Sequence, residues 1–145
     1  MANETTDTID TAIITCTLVP EHLRPTVTAD LFGSYFPLQL EPFIFSMASQ
    51  LSEDYSGGYW DFYQISNGGF YLAPDSAGRF QVSSPNGSEC FMSADALGIA
   101  VSLFAYSHLS FGQGDFAEIC AEHYHLLREF MMAHAEASNI LGIID

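Results

Sequence analysis

The sequence predicts a small α+β domain in which a hairpin-built antiparallel β-sheet of three or four strands packs with several α-helices. Three observations point there. Aromatic and β-branched runs in the first two thirds of the chain flank Asn-Gly turns, apolar residues in the last third recur at helical spacing, and strands precede helices instead of alternating with them. The last pattern argues against a parallel βαβ sheet.

Taken in order, residues 1–11 read as a flexible N-terminal tail, and residues 12–145 as one domain. Ala12–Val19 is a short β-branched strand, of which the latter half is the part expected to be fixed, and Pro20 ends it. Glu21 to Asp30 suits a helix interrupted near Pro25, with Leu31-Phe32-Gly33 as its stop. From Pro42 to Leu51, the residues Phe43, Ile44, Met47, Ala48 and Leu51 give a helix one apolar face, and Pro42 suits its first turn.

Gly58–Ile65 is an aromatic strand, Asn67-Gly68 supplies the turn, and Phe70-Tyr71-Leu72 starts the returning strand. Arg79–Ser83, the turn Pro85-Asn86-Gly87 and Glu89–Met92 repeat the pattern more weakly. Ser93 is placed to cap a helix carrying Leu97, Val101 and Phe104, and Asp115–Met132 carries Phe116, Cys120, Leu127 and Met131 at similar intervals. A short helix through Ala137 and Ile140 closes the chain.

Composition limits the function. At 145 residues with 48% hydrophobic residues, the chain supports one compact core and no metal or disulfide is needed to fold it. No apolar run reaches the ~18 residues of a membrane span and no basic leader precedes residue 12, so a cytoplasmic location is expected. Cys16, Cys90 and Cys120 are too scattered for a disulfide framework or a zinc knuckle. Eighteen acidic residues stand against three arginines, Arg24, Arg79 and Arg128, and no lysine, giving a net charge of −15. Direct binding of nucleic acid, which needs clustered cations, is not expected. A basic surface on another protein is the natural counterpart.

Candidate chemistry is sparse. Glu122 and His125 share a helix side and would make two metal ligands, but one such pair is not a site, and a solvated polar face accounts for it as well. Gly112-Gln113-Gly114-Asp115-Phe116-Ala117 fits a dinucleotide-loop pattern on paper but follows a helix, so it reads as a plain loop. Catalysis by Cys90 or Cys120 would need a nearby base, and buried apolar cysteine is the simpler state. His22, His108 and His134 fall at element ends, where structural roles are common. Tyr59, Trp60, Phe62, Tyr63, Phe70 and Tyr71 would serve as an interface platform or as core, and alternation favours core for most. No catalytic residue, cofactor or metal is assigned.

Several long blocks resemble the ArdB/KlcA antirestriction family. They are Tyr55-Ser56-Gly57-Gly58-Tyr59-Trp60-Asp61-Phe62-Tyr63, Ser66-Asn67-Gly68-Gly69-Phe70-Tyr71-Leu72-Ala73-Pro74, Ser93-Ala94-Asp95-Ala96-Leu97-Gly98-Ile99, and Tyr124-His125-Leu126-Leu127-Arg128-Glu129 with the ending to Asp145. With Leu31-Phe32-Gly33 they span the chain from about Arg24 onward. The resemblance implies a plasmid- or phage-borne inhibitor of host type I restriction endonucleases that protects incoming DNA. It implies no catalytic residue.

Close DNA mimicry is the obvious mechanism for so acidic an inhibitor, but magnitudes count against it. A compact domain of this length has a radius of gyration of roughly 15 Å, hence a diameter of about 38 Å, and duplex that long carries about 22 charges. The acids are spread along the whole chain, with Glu53-Asp54 the only adjacent pair. The expectation is therefore a monomer that inhibits by contact with the restriction complex. Asp95, Glu122, Glu129 and Asp145 are the candidate contact residues, chosen for charge, with a solvated surface as the plain alternative for each. A groove-competing DNA mimic, a metal-dependent enzyme on the Glu122/His125 helix and an acidic adaptor remain open.

Overall fold

The computed structural model describes residues 13–145, and the tail expected over residues 1–11 lies outside them. The strands are β1 (Cys16–Leu18), β2 (Trp60–Ile65), β3 (Phe70–Pro74), β4 (Arg79–Ser83) and β5 (Glu89–Ser93). The helices are α1 (Arg24–Phe32), α2 (Glu41–Leu51), α3 (Ala94–Leu109), α4 (Asp115–Met131) and α5 (Ala137–Ile144). The predicted α+β class and its antiparallel hairpins are present. The strands divide between two sheets, a three-stranded one in the order β1-β2-β3 and a two-stranded β4-β5 pair.

The β2-β3 hairpin forms where its turn residues put it. Gly68 adopts φ 100°, which a side chain resists, and the Asn67 carboxamide oxygen accepts the Gly69 N–H at 2.9 Å. Trp60 pairs with Pro74 and Gln64 with Phe70. Strand β1 is the latter half of the expected Ala12–Val19 segment, whose residue 12 lies outside the described residues, with Cys16 opposite Ile65 and Leu18 opposite Tyr63. This pairing closes a loop of more than forty residues, which local patterns do not reveal.

Pro25 begins α1 instead of interrupting it. A single tight turn, Glu21–Leu23, precedes the helix, and proline fits the first turn because its missing N–H has no partner there. Gly33 ends α1 at φ 62°, as the stop signal implied. The next segment, Phe36–Leu40, is a wide π-type turn that delivers Phe36 and Leu40 to the core.

α3 is the centre of the molecule. Ser93 caps it, accepting the Ala96 N–H at 3.2 Å. Its sequence is apolar nearly all round, so it buries much more than the one face traced by Leu97, Val101 and Phe104. It packs against β3, α2, α4 and α5. Strand β3 is buried along its whole length, and α3 lies along its edge, where the Leu72 N–H donates to the Ser102 hydroxyl at 3.4 Å and the Tyr106 hydroxyl donates to the Phe70 carbonyl at 2.7 Å. Gly98 lets α3 lie directly on the β3 backbone. The core around them joins Phe32, Phe36, Phe62 and Phe70 in edge-to-face contacts.

Candidate functional site

The densest polar arrangement in the described structure lies at the N-terminal end of α3, where three segments meet. Asp95, in the first turn, accepts a hydrogen bond from the buried Tyr71 hydroxyl at 2.7 Å and meets His134 Nε2 at 2.8 Å. The Glu136 backbone N–H donates to His134 Nδ1 at 2.9 Å, so Nε2 carries the ring proton and points it at Asp95. Ser93 binds the Glu136 carboxylate twice, through its backbone N–H and its hydroxyl. Together these bonds lock the short turn between α4 and α5 against the start of α3.

Burial pushes the Asp95 carboxyl up, but the bonds from His134 and Tyr71 outweigh it and hold it below the usual carboxylate range. The bond to Asp95 in turn raises His134, against the opposing effect of its burial. The Tyr71 phenol is raised by burial and by the adjacent Asp95 charge. Cys16 Sγ stands 3.7 Å from the Tyr71 oxygen. Every group in this chain of contacts is thus tied to a partner within the fold, and the arrangement serves architecture.

The four predicted contact residues are separated by this geometry. Asp95 is spent internally on Tyr71 and His134. Glu122 and Glu129 sit exposed on α4, two turns apart on one side. Glu129 accepts from the Asn67 carboxamide at 3.1 Å, and the same Asn67 group donates to the Leu126 carbonyl at 2.9 Å, which docks the hairpin tip on α4. Asp145 is exposed just beyond α5, on a separate element.

The remaining chemical candidates have structural explanations. His123 is buried at 4% exposure between Phe32 and Tyr106, with ring centroids at 4.8 and 5.5 Å. Burial lowers its pKa, partly offset by Glu122, and its Nδ1 has no partner. His125 and Glu122 are both exposed, and no group of three or more metal-ligating side chains converges among the described residues. Cys120 is buried, and burial pushes its thiol up to about 12. The Gly112–Ala117 segment is the α3–α4 loop and the start of α4, as read from its sequence context.

Of the six hairpin aromatics, Trp60, Phe62, Phe70 and Tyr71 are core, Tyr63 is half-buried, and Tyr59 is 49% exposed. Two of the three arginines are engaged: Arg24 lies 4.2 Å over the Phe62 ring and 3.8 Å from Asp61, and Arg79 lies 3.8 Å from Glu136. The roles of Arg24 and Glu136 were not visible in the sequence, since each depends on a partner more than thirty residues away.

Comparison with known proteins adds three findings. The family model described as "Antirestriction protein" matches residues 53–145. Antirestriction protein KlcA of Escherichia coli is 38% identical over 135 residues, covering 91% of this chain and 95% of its own, and the uncharacterized protein YafX of Escherichia coli K12 is 42% identical over 137 residues, covering 91% and 88%. A solved structure superimposes with a TM-score of 0.84 at 38% identity, covering 91% of this chain and 95% of the other. It comes from work on KlcA and ArdB described as showing a novel fold and antirestriction activity against type I DNA restriction systems in vivo but not in vitro. No helix among the described residues is long and apolar enough to cross a membrane.

Proposed function

The chain belongs to the antirestriction protein family, and from that premise we propose that it protects incoming plasmid or phage DNA by inhibiting the host's type I restriction-modification endonuclease. It acts in the cytoplasm, as a monomer, and by contact with the protein complex, neither by catalysis nor by close imitation of DNA. The observation that carries this reading is the KlcA-like fold over nine tenths of the chain.

The charge geometry supports contact over mimicry. Exposed carboxylates lie on α1, on the β-hairpin loops, on α4 and at the C-terminus, and so face many directions. A duplex mimic needs a dense ladder along one side. The activity described for KlcA and ArdB, in vivo but not in vitro, counts against simple occupation of a DNA groove and equally against simple contact with the resting enzyme. The target state is therefore one that exists in the cell. Exposed carboxylates on α4, Glu122 and Glu129, together with Asp145, supply attraction to a basic subunit surface, and Asp95 contributes by holding the α4–α5 turn in place. Three arginines, two of them engaged within the fold, and no lysine leave little to grip a polyanion.

The absence of catalysis draws support from the placement of three reactive groups. His134 is held by Asp95, His123 is sealed in the core, and the Cys120 thiol is far from its reactive form at neutral pH.

The deciding experiment is transfer of unmodified plasmid into paired strains with and without a type I system, expressing this protein. Transfer should rise only in the restricting strain. Equal transfer with and without the protein in the restricting strain would remove the reading. Displacement of DNA from the purified enzyme with steep salt dependence would instead favour mimicry.

A further inference from the structure

We propose that the restriction complex is engaged through a carboxylate-free aromatic cleft at the α3–α4 loop, by a partner surface that presents an apolar side chain ringed by lysine or arginine. The proposal rests on the functional reading above and names its contact surface. The cleft has a volume of about 450 Å³ and is lined by Tyr35, Gln39, His108, Phe111, Gln113 and Phe116, among others. In a chain with 18 acidic residues, none of its lining residues is Asp or Glu. Depletion of charge with aromatic enrichment is how the centre of a protein interface differs from the surface around it.

Two large apolar side chains are held out to water on the segments that build the cleft. Phe111 is 85% exposed, and Leu38, on the same turn as Tyr35 and Gln39, is 73% exposed. Neither sits on a slack loop. The Phe111 N–H donates to the His108 carbonyl at 3.2 Å, Gly112 N–H donates to Leu109 at 3.2 Å, and the Ser110 hydroxyl donates to Ser107 at 2.7 Å. Tyr35 stacks on Phe116 with centroids 4.6 Å apart and planes 13° from parallel, and His108 stacks on Phe43 at 4.7 Å. The cleft is therefore preorganised, which lowers the ordering cost of binding.

Charge selects the occupant. Asp115 and Glu118, exposed on α4 beside Phe116 and Ala117, give the cleft an acidic margin that leads to Glu122 on the same helix. A second copy of this chain would bring another −15 charges to that margin and be repelled. A basic protein surface is attracted by the same margin, and its apolar side chain would fill the cleft.

The test uses the full chain in the restricting strain. The double variant Phe111→Ser, Leu38→Gln should lose protection by about ten-fold or more, with its melting temperature and circular dichroism unchanged. Phe91→Ser, which alters an exposed phenylalanine on β5, away from the cleft, should protect as the parent does. A photo-crosslinking benzoylphenylalanine at position 111 should form an adduct with a type I subunit, identified by mass. Full protection by the double variant, an adduct with a second copy, or no adduct while protection persists each overturns the proposed surface and leaves the antirestriction reading standing. Failure of the parent protein to protect at all removes that reading instead.

Discussion

Tyr71 Oη lies 2.7 Å from Asp95 Oδ1, so a phenol enclosed by the core is satisfied by a carboxylate whose other oxygen meets His134 at 2.8 Å. The two sides of this bond differ in exposure. Tyr71 is fully buried, whereas the Asp95 side chain is 41% exposed and has water available.

The asymmetry predicts unequal costs. Asp95→Ala strands a buried hydroxyl and frees the α4–α5 turn, and should lower stability by about 1–3 kcal/mol. Tyr71→Phe leaves a carboxylate that water and His134 can serve, and should cost about 1 kcal/mol or less. Urea unfolding of both variants checks the order. A larger loss for Tyr71→Phe, which keeps the ring and removes only the hydroxyl, would mean that the Asp95 carboxylate depends on this bond more than the phenol does.

His123 predicts acid sensitivity of definite sign. Its folded-state pKa lies below its ordinary value near about 6.5, so the neutral ring's contribution is complete above that value and is lost as pH falls through the folded value. His134 runs oppositely: Asp95 raises it, and its contribution is complete below the ordinary value and lost as pH rises through the folded one. Comparing His123→Phe with the parent cancels the His134 effect. The variant should gain in relative melting temperature between about pH 7.5 and about pH 5, and a constant gap would show that the ring does not resist protonation.

Gly98 predicts a reversal of the ordinary helix rule. Glycine to alanine inside a helix usually gains about 1 kcal/mol. Here a Cβ would stand 2.3 Å from the Leu72 carbonyl oxygen and 2.4 Å from Ala73 Cα, and neither backbone atom can yield cheaply. Gly98→Ala should instead destabilise by roughly 2 kcal/mol or more, read by thermal or chemical unfolding. A stabilised variant would show that α3 can slide off β3.

How legible the fold was in the sequence depended on how local its causes are. The Asn67-Gly68 hairpin and the Ser93 cap were visible because a few adjacent residues determine them. The β1–β2 pairing, the split into two sheets and the wide turn at Phe36–Leu40 depend on distant partners. So do the fates of the histidines. His123 sits on a helix position like any other until Phe32 and Tyr106 close over it, and His134, beyond the end of α4, meets a side chain from α3 that lies 39 residues earlier in the chain. Acidity singled out Asp95 as a candidate contact residue, and its bonds to Tyr71 and His134 depend on partners that no local pattern reveals.

The central position of α3 constrains how the protein can meet anything else. Its burial is shared among β3, α2, α4 and α5, so withdrawing any one of these neighbours uncovers apolar surface on the others. None of these four neighbours can swing away as a lid or arm at small cost. The body they form around α3 therefore meets any target as a rigid unit, and selectivity there must come from matching a fixed outline.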